Sequence, residues 1–364
     1  MKLISVVGTR PNFMKIAPII HEMERFHDIE HILVHTGQHY DTKMSGDFFK
    51  DLGIPKPDYN LNIGSDSQTK QVAKIMIAFE AVCDKEEPDG LIVVGDVNST
   101  MAASLVAAKK GITSFHVEAG IRSRDRAMPE EINRLVTDAI CDYLLPPSRD
   151  AVDNLIQEGH KTNKIKLVGN IMIDTLKKNQ SQIQASTILD TFALTPQSYA
   201  VLTLHRPSNV DHKPTFEGIL QAIAYTQEHL PVIYPIHPRS RKMLKKFGLD
   251  TYVEALPQLH LVEALGYNDF GRLVSQAKMV LSDSGGIQEE TTVYGVPCIT
   301  IRENTERPIT IWEGTNELAG TSPNSIKILV DKVLTGSWKK SQIPTLWDGN
   351  TAKRIVDVIE QILS

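Results

Sequence analysis

The densest chemistry in this sequence runs from His116 to Arg134, HVEAGIRSRDRAMPEEINR. Glu118 closes an apolar run that reads as a buried strand. Arg122, Arg124, Asp125 and Arg126 stand in the loop behind it. Pro129 then opens a helix bearing Glu130, Glu131 and Arg134. Carboxylates, which acid–base chemistry uses, are thus mixed with guanidiniums at the expected edge of a sheet. Glu130 and Arg134 are four apart, and a surface ion pair explains them equally well. That account does not reach Glu118. A second acid, Asp96, follows LIVV in GDVNST, Gly95 to Thr100. Its place at the carboxyl end of a strand leaves both a helix cap and a catalytic group open.

Other segments are suited to anions. In GTRPNFMKIAP, Gly8 ends a strand and Arg10 and Lys15 follow in the loop and first helical turn. Two cations beside helix-terminal N–H groups suit a phosphate. The most specific motif is SDSGGIQEE, Ser282 to Glu290. Ser284, Gly285 and Gly286 follow a strand and open a helix, so a diphosphate can approach backbone N–H groups at its positive end. Glu290 lies one turn further and can accept hydrogen bonds from ribose hydroxyls. His205 and His237 end two strands of this half, with Arg239 behind the second. IRENTERP contributes Arg302, Glu306 and Arg307. Arg307 either faces a phosphate or binds Glu306, and the sequence does not separate the two.

These residues sit on a regular alternation of elements. LISVVG, HILVHTG, YNLNIG, LIVVGD, SFHVEAG, DYLLPPS and KIKLVGN read as strands in the first half. Helical patterns separate them, including one near SGDFFKDLG. Apolar runs alternating with helices predict a parallel sheet covered on both faces, with ligands at the loops after the strands. The polar stretch KKNQSQIQASTILDT lacks strand character and reads as a linker. The alternation then restarts with YAVLTLHRP, PVIYPIHP, LHLVEAL, MVLSDSGG and PCITIRE. TAKRIVDVIEQILS closes the chain as an amphipathic helix bearing Ile355, Val356, Ile359 and Ile362. An α/β protein of two Rossmann-like domains is expected: residues 1–176, residues 177–345, and a terminal helix over 346–364.

At 364 residues, two domains are the natural expectation. A net charge of -5 argues against nucleic acid as a partner. Cys83, Cys141 and Cys298 are far apart and form no CxxC pair, so neither a disulfide framework nor a thiolate zinc site is expected. MKLISVVGTRPNF lacks the long apolar core and cleavage site of a signal peptide, and no stretch suits a bilayer span. A cytoplasmic protein that does not enter a membrane is expected.

GTRPNFMKIAP, TGQHYD, GDVNST, HVEAGIRS, MPEEINR, LTLHRPSNVD, SDSGGIQEE and TERP occur in this order over nearly the whole chain. Together they resemble the UDP-N-acetylglucosamine 2-epimerases of the non-hydrolysing type. The resemblance implies a glycosyltransferase-B-like fold with the active site in the cleft between the domains. It further implies a terminal helix that returns to the first domain, a homodimer, and neither a metal nor a nicotinamide cofactor. The implied reaction is reversible epimerisation at C2 of UDP-N-acetylglucosamine, giving the manno epimer for cell-surface polysaccharide precursors. UDP leaves and re-adds through 2-acetamidoglucal. By motif, Arg10 and Lys15 contact the diphosphate or sugar, and Asp96, Glu118 and Glu130 flank C2. His205 meets the leaving group, and Arg134 assists in the sugar pocket. His237, Ser284, Gly285, Gly286, Glu290 and Arg307 hold UDP.

Two features depart from the family pattern. Bacterial members activated by their own substrate carry QHR-Q where this chain has Gln38, His39, Tyr40 and Asp41, which puts such activation in doubt. The same TGQHYD form also occurs in relatives acting on UDP-diacetamido uronic acids, so the C3 and C6 substituents stay open. A hydrolysing epimerase, a glycosyltransferase of this fold and a non-catalytic UDP-sugar-binding protein are the competing readings. Acids kept at positions 96, 118 and 130 weigh against the last.

Overall fold

A computed structural model of the chain describes residues 1–37 and 53–364, apart from the side chain of Arg10. Gln38, His39, Tyr40 and Asp41, and most of the segment SGDFFKDLG, lie outside the described residues. The chain divides into two compact units, Met1–Lys177 with Thr345–Ser364, and Lys178–Pro344.

The first unit is built on six parallel strands: β1 (Lys2–Val7), β2 (Glu30–His35), β3 (Tyr59–Asn60), β4 (Gly90–Val94), β5 (Thr113–Val117) and β6 (Tyr143–Leu145). Their order across the sheet is β3-β2-β1-β4-β5-β6. Successive residues of a strand point to opposite faces, and both faces here are covered. Leu3, Val7, Leu33, Ile92 and Phe115 pack on one side with Phe13, Ile16 and Ile20 of the helix Arg10–Met23. Ile4, Val6, Val34, Leu91 and Val93 pack on the other with Phe79, Val82 and Val106. This two-sided burial is why the strands read as continuous apolar runs.

The terminal helix Thr351–Leu363 joins the first of these faces through Ile355, Val356 and Ile359, all essentially buried. Each such side chain contributes about 1.5–3 kcal/mol of burial. Asp174 accepts hydrogen bonds from the first N–H groups of this helix, Thr351 at 3.1 Å and Ala352 at 2.8 Å. Arg354 ties it to the Val168 carbonyl at 2.6 Å.

The second unit repeats the plan. Its strands are β7 (Ala200–Thr203), β8 (Val232–Pro235), β9 (Leu259–Val262), β10 (Met279–Ser282), β11 (Cys298–Thr300) and β12 (Asn316–Leu318). They are parallel and ordered β12-β11-β10-β7-β8-β9. Counted from its own first strand, this is the order of the first sheet. In both sheets the chain leaves the first strand on one side and returns to the other. The loops after β1 and β4, and after β7 and β10, therefore diverge and leave room at the carboxyl edge.

One expected strand needs correction, and several elements were not anticipated. KIKLVGN forms no strand; Ile165 makes only an isolated bridge to Leu144, and the chain then runs to Gly169, whose φ is +96°. The polar stretch read as a linker carries two short helices, Gln180–Ala185 and Ile188–Thr191. Ile183, Ile188 and Leu189 bury there, so its sparse apolar residues suffice. β12 and the helix Pro323–Leu334 went unread, because NEL carries no strand signature of its own.

Candidate active site

The carboxyl edge of the first sheet is fastened by Asn12. Its side-chain oxygen accepts from the N–H groups of Gly8 and Thr9, at 3.3 and 3.0 Å. Its amide nitrogen donates to the Val94 carbonyl at 3.0 Å. One buried amide thus joins the turn after β1 to the end of β4, and Pro11 opens the helix behind it.

Glu118 follows β5 with a φ of +69°, a left-handed backbone that costs a non-glycine residue about 1–2 kcal/mol. It is 4% exposed, and its Oε2 lies 2.6 Å from Lys15 Nζ. Gly95, with φ +71°, keeps this pair uncrowded; a Cβ there would stand 3.0 Å from Lys15 Nζ. Asp96, the next residue, accepts from Arg134 Nε at 3.0 Å and Nη2 at 2.6 Å. Arg134 Nη1 binds Glu131 Oε2 at 2.8 Å. Burial works to raise Glu131. The Ser123 and Arg124 N–H groups and the Arg134 guanidinium outweigh it and hold Glu131 below the usual carboxylate range.

Arg134 is therefore not half of a surface pair with Glu130; among the described residues it pairs with Asp96 and Glu131. Glu130 is half-buried and lines a cavity of about 300 Å³ with Thr9, Gln68, Gln71, Asn98 and Asn133. The amides are mutually bonded. Asn98 donates to Gln68 and Gln71 at 2.6 and 2.7 Å, and Asn133 donates to the Asp96 carbonyl at 2.9 Å. Such a wall offers hydroxyls and an acetamido group neutral partners.

A deeper layer was missed by sequence reasoning. His116 is fully buried on β5; Nδ1 lies 2.6 Å from Asp138 Oδ1 and Nε2 lies 2.8 Å from the Gly95 carbonyl. Arg122 Nη2 meets the other Asp138 oxygen at 2.7 Å and also pairs with Glu158. Arg122 stands in the loop, as expected, but buried, paired with Asp138 and Glu158. No local spacing marks this layer, since Asp138 meets partners from β5 and the loop behind it rather than from its own helix.

In the second unit, His205 and His237 follow β7 and β8, and Ser284 follows β10. All three line a cavity of about 300 Å³ whose apolar wall includes Ile236, Leu265 and Phe270. His205 Nδ1 lies 2.7 Å from Asp283 Oδ1. His237 caps the helix Pro238–Phe247, its Nδ1 accepting from Arg239 N. Arg239 itself is held by Asp211. Ser284 occupies the position just before the helix Gly285–Tyr294, and its backbone N–H donates to Ser282 Oγ at 3.0 Å. A Cβ at Gly285 would stand 2.8 Å from Glu306 Oε1, so this turn needs glycine for a close approach.

Arg307 Nε meets Glu289 Oε1 at 2.6 Å. Glu306 is instead paired with Arg302 at 2.7 Å and Arg206 at 3.4 Å. Burial opposes its ionisation, yet Arg302, Arg307 and Arg206 hold it down at about 2. Among the described residues, no group of three or more His, Cys, Asp and Glu could hold a metal ion. No helix among them is long and apolar enough to cross a membrane.

Burial, then the neighbouring Glu289 carboxylate, push Glu290 up to about 7. A carboxylate accepts hydroxyl protons best when ionised. If Glu290 receives a ribose, UDP affinity rises as pH climbs through about 7. We expect a gain of about tenfold from about pH 6 to pH 8 beyond that of Glu290→Gln, which keeps every other titrating group of the site and the ligand. Calorimetric titration checks this; parallel pH curves for the two proteins would remove Glu290 from the ribose.

Two parallel sheets of like order, with paired acids at one edge and a glycine-rich helix start at the other, define a glycosyltransferase-B-like α/β protein. The model of the UDP-N-acetylglucosamine 2-epimerase family matches residues 21–360, and the chain belongs to that family. It is 40% identical over 366 residues to the UDP-N-acetylglucosamine 2-epimerase of Methanocaldococcus jannaschii, spanning 99% of each chain. It is 37% identical over 330 residues, 90% of each, to the UDP-2,3-diacetamido-2,3-dideoxy-D-glucuronate 2-epimerase of Pseudomonas aeruginosa. Its fold matches the crystal structure of the M. jannaschii enzyme in complex with UDP-GlcNAc and UDP. The TM-score is 0.88 at 40% identity, covering 99% of this chain and 100% of that one.

Proposed function

We propose that this protein interconverts UDP-N-acetylglucosamine and UDP-N-acetylmannosamine by elimination and re-addition of UDP. The observation that carries this reading is the placement of Asp96 and Glu118. Both stand at the carboxyl edge of one sheet, each bonded to a cation, beside a cavity lined by amides and Glu130.

C2 of the sugar is a poor carbon acid, so departure of UDP from C1 must run ahead of proton removal. The C1–O bond breaks with its electron pair passing to the β-phosphate oxygen. A first-unit carboxylate takes the C2 proton, and the C1–C2 double bond of 2-acetamidoglucal forms. A proton then returns to the other face of C2, and the UDP oxygen re-adds to C1. Charge on the departing diphosphate is met by the helix start at Ser284–Gly286 and by His205. Ile236, Leu265 and Phe270 offer an apolar wall to the base. Arg10 and Lys15 are the first unit's cations for the diphosphate or sugar, and Arg307 and His237 support the nucleotide.

Incubation with UDP-N-acetylglucosamine in deuterated water, followed by proton NMR, tests the reading. Deuterium at C2 together with the manno form is the expected result. Free UDP accumulating in step with product would make the enzyme hydrolytic. Turnover that keeps the C2 hydrogen would end the proposal.

A further inference from the structure

His205 and His237 are neighbours, with ring centroids 5.7 Å apart, yet their Nδ1 atoms have opposite partners. Asp283 Oδ1 faces His205 Nδ1 at 2.7 Å. A carboxylate only accepts, so this nitrogen carries a proton. At His237, Nδ1 accepts from the Arg239 backbone N–H at 3.2 Å. That nitrogen is bare, and the ring proton sits on Nε2. We infer that the fold fixes opposite tautomers in the two rings, and that Asp283 is the positioning residue that turns the proton-accepting Nε2 of His205 outward.

Asp283 divides its work between its two oxygens. Oδ2 accepts from the N–H groups of His205 and Arg206, at 3.0 and 2.9 Å, and from Asn209 Nδ2 at 3.2 Å. Those bonds fasten the turn after β7. Oδ1 faces the imidazole and also receives a longer contact from the His205 N–H, at 3.2 Å. Burial of Asp283 favours its neutral form, but His205 and these backbone donors lower it and keep it ionised. Behind a protonated His205 it compensates charge, as the acid behind a catalytic histidine does. His237, lowered first by burial and then by His205, keeps Nδ1 on the Arg239 N–H and offers Nε2–H as a donor. The two rings then have separate tasks. His205 can take a proton from solvent on Nε2 and carry it to the departing diphosphate, taking it back on re-addition; His237 donates to a fixed acceptor. This division rests on the proposed elimination of UDP, whereas the tautomers themselves do not.

Asp283→Asn separates the two duties. Its amide oxygen can keep the backbone donors, while its NH2 group faces His205 Nδ1 and forces the proton to Nε2. Long-range proton–nitrogen NMR of the ligand-free protein at alkaline pH reads both rings, with His205→Gln and His237→Gln for assignment. The wild type should show His205 protonated at Nδ1 and His237 at Nε2. In Asp283→Asn, His205 should flip, with kcat lowered about 100-fold and the UDP Kd within about threefold. An Nε2–H tautomer for His205 in the wild type would overturn the inference, even if the variant fails to fold. So would an Asn variant that keeps the tautomer and loses kcat and UDP affinity alike. Correct tautomers in a protein that turns over no UDP-sugar would count against the proposed function alone.

Discussion

Glu118→Gln should lower kcat by about 10³–10⁴-fold, the upper range for a positioned acid or base, while UDP binding stays within about threefold. The substitution keeps size and shape, so the buried space of Glu118 is still filled. What it removes is a basic oxygen held 2.6 Å from Lys15 Nζ, on a strained backbone behind β5. That backbone is fastened from the next strand, the Glu118 N–H donating to the Leu145 carbonyl at 3.1 Å. Strain kept at a non-glycine residue is worth attention where the side chain it aims carries a charge. Loss of a group used only in the transition state lowers kcat and kcat/KM together. Steady-state kinetics by NMR and UDP titration by calorimetry check both halves of the expectation. Asp96→Asn and Glu130→Gln should act in the same direction. Wild-type turnover in Glu118→Gln would take this residue out of the chemistry, and a matching loss of UDP affinity would make its role one of binding.

Much of the fold was legible because buried parallel strands leave apolar runs, and LISVV, LIVV and MVLS each became a strand between layers of helix. Elements whose stability comes from neighbours were not legible. NEL pairs as β12 because β11 offers its edge, and KIKLVGN fails to become a strand although its residues would allow one. The residues at the strand ends were visible as types: Asp96, Glu118, His205, His237 and Ser284 all stand just past a strand. Their partners were not. Nothing in SDSGG distinguishes Asp283, whose value comes from the two ring and backbone donors that β7 brings to it. Likewise Arg134 finds Asp96, 38 residues away, rather than Glu130 one turn off, because β4 and the Pro129–Ile140 helix converge. Local spacing reports pairs on one element; crossings of elements decide between rivals.

The layer beneath Asp96 and Glu118 yields the second large effect. Asp138→Ala should destabilise the protein by about 3–5 kcal/mol, the cost of breaking a buried charge network from one side. Asp138 is wholly buried, and His116 Nδ1, Arg122 Nη2 and the Gly120 N–H all converge on it. Removing it strands an imidazole at 0% exposure and leaves Arg122 only Glu158 as carboxylate. For a unit of this size the melting temperature should fall by about 10 °C, read by calorimetry. Adding Arg122→Met should cost less than the sum of the two changes, because the charge left behind is also removed. Burial would raise Asp138, but His116 and Arg122 overcome it and its carboxyl titrates below the ordinary aspartate value. Its contribution is therefore complete at neutral pH and is lost only on acidification below about pH 4. The stability gap between wild type and variant should close there, and a gap that stays constant into acid would show the loss to be one of packing rather than charge. Since His116 Nε2 also meets the Gly95 carbonyl, the folded variant should lose turnover as well: the peptide that aims Asp96 is held through this ring.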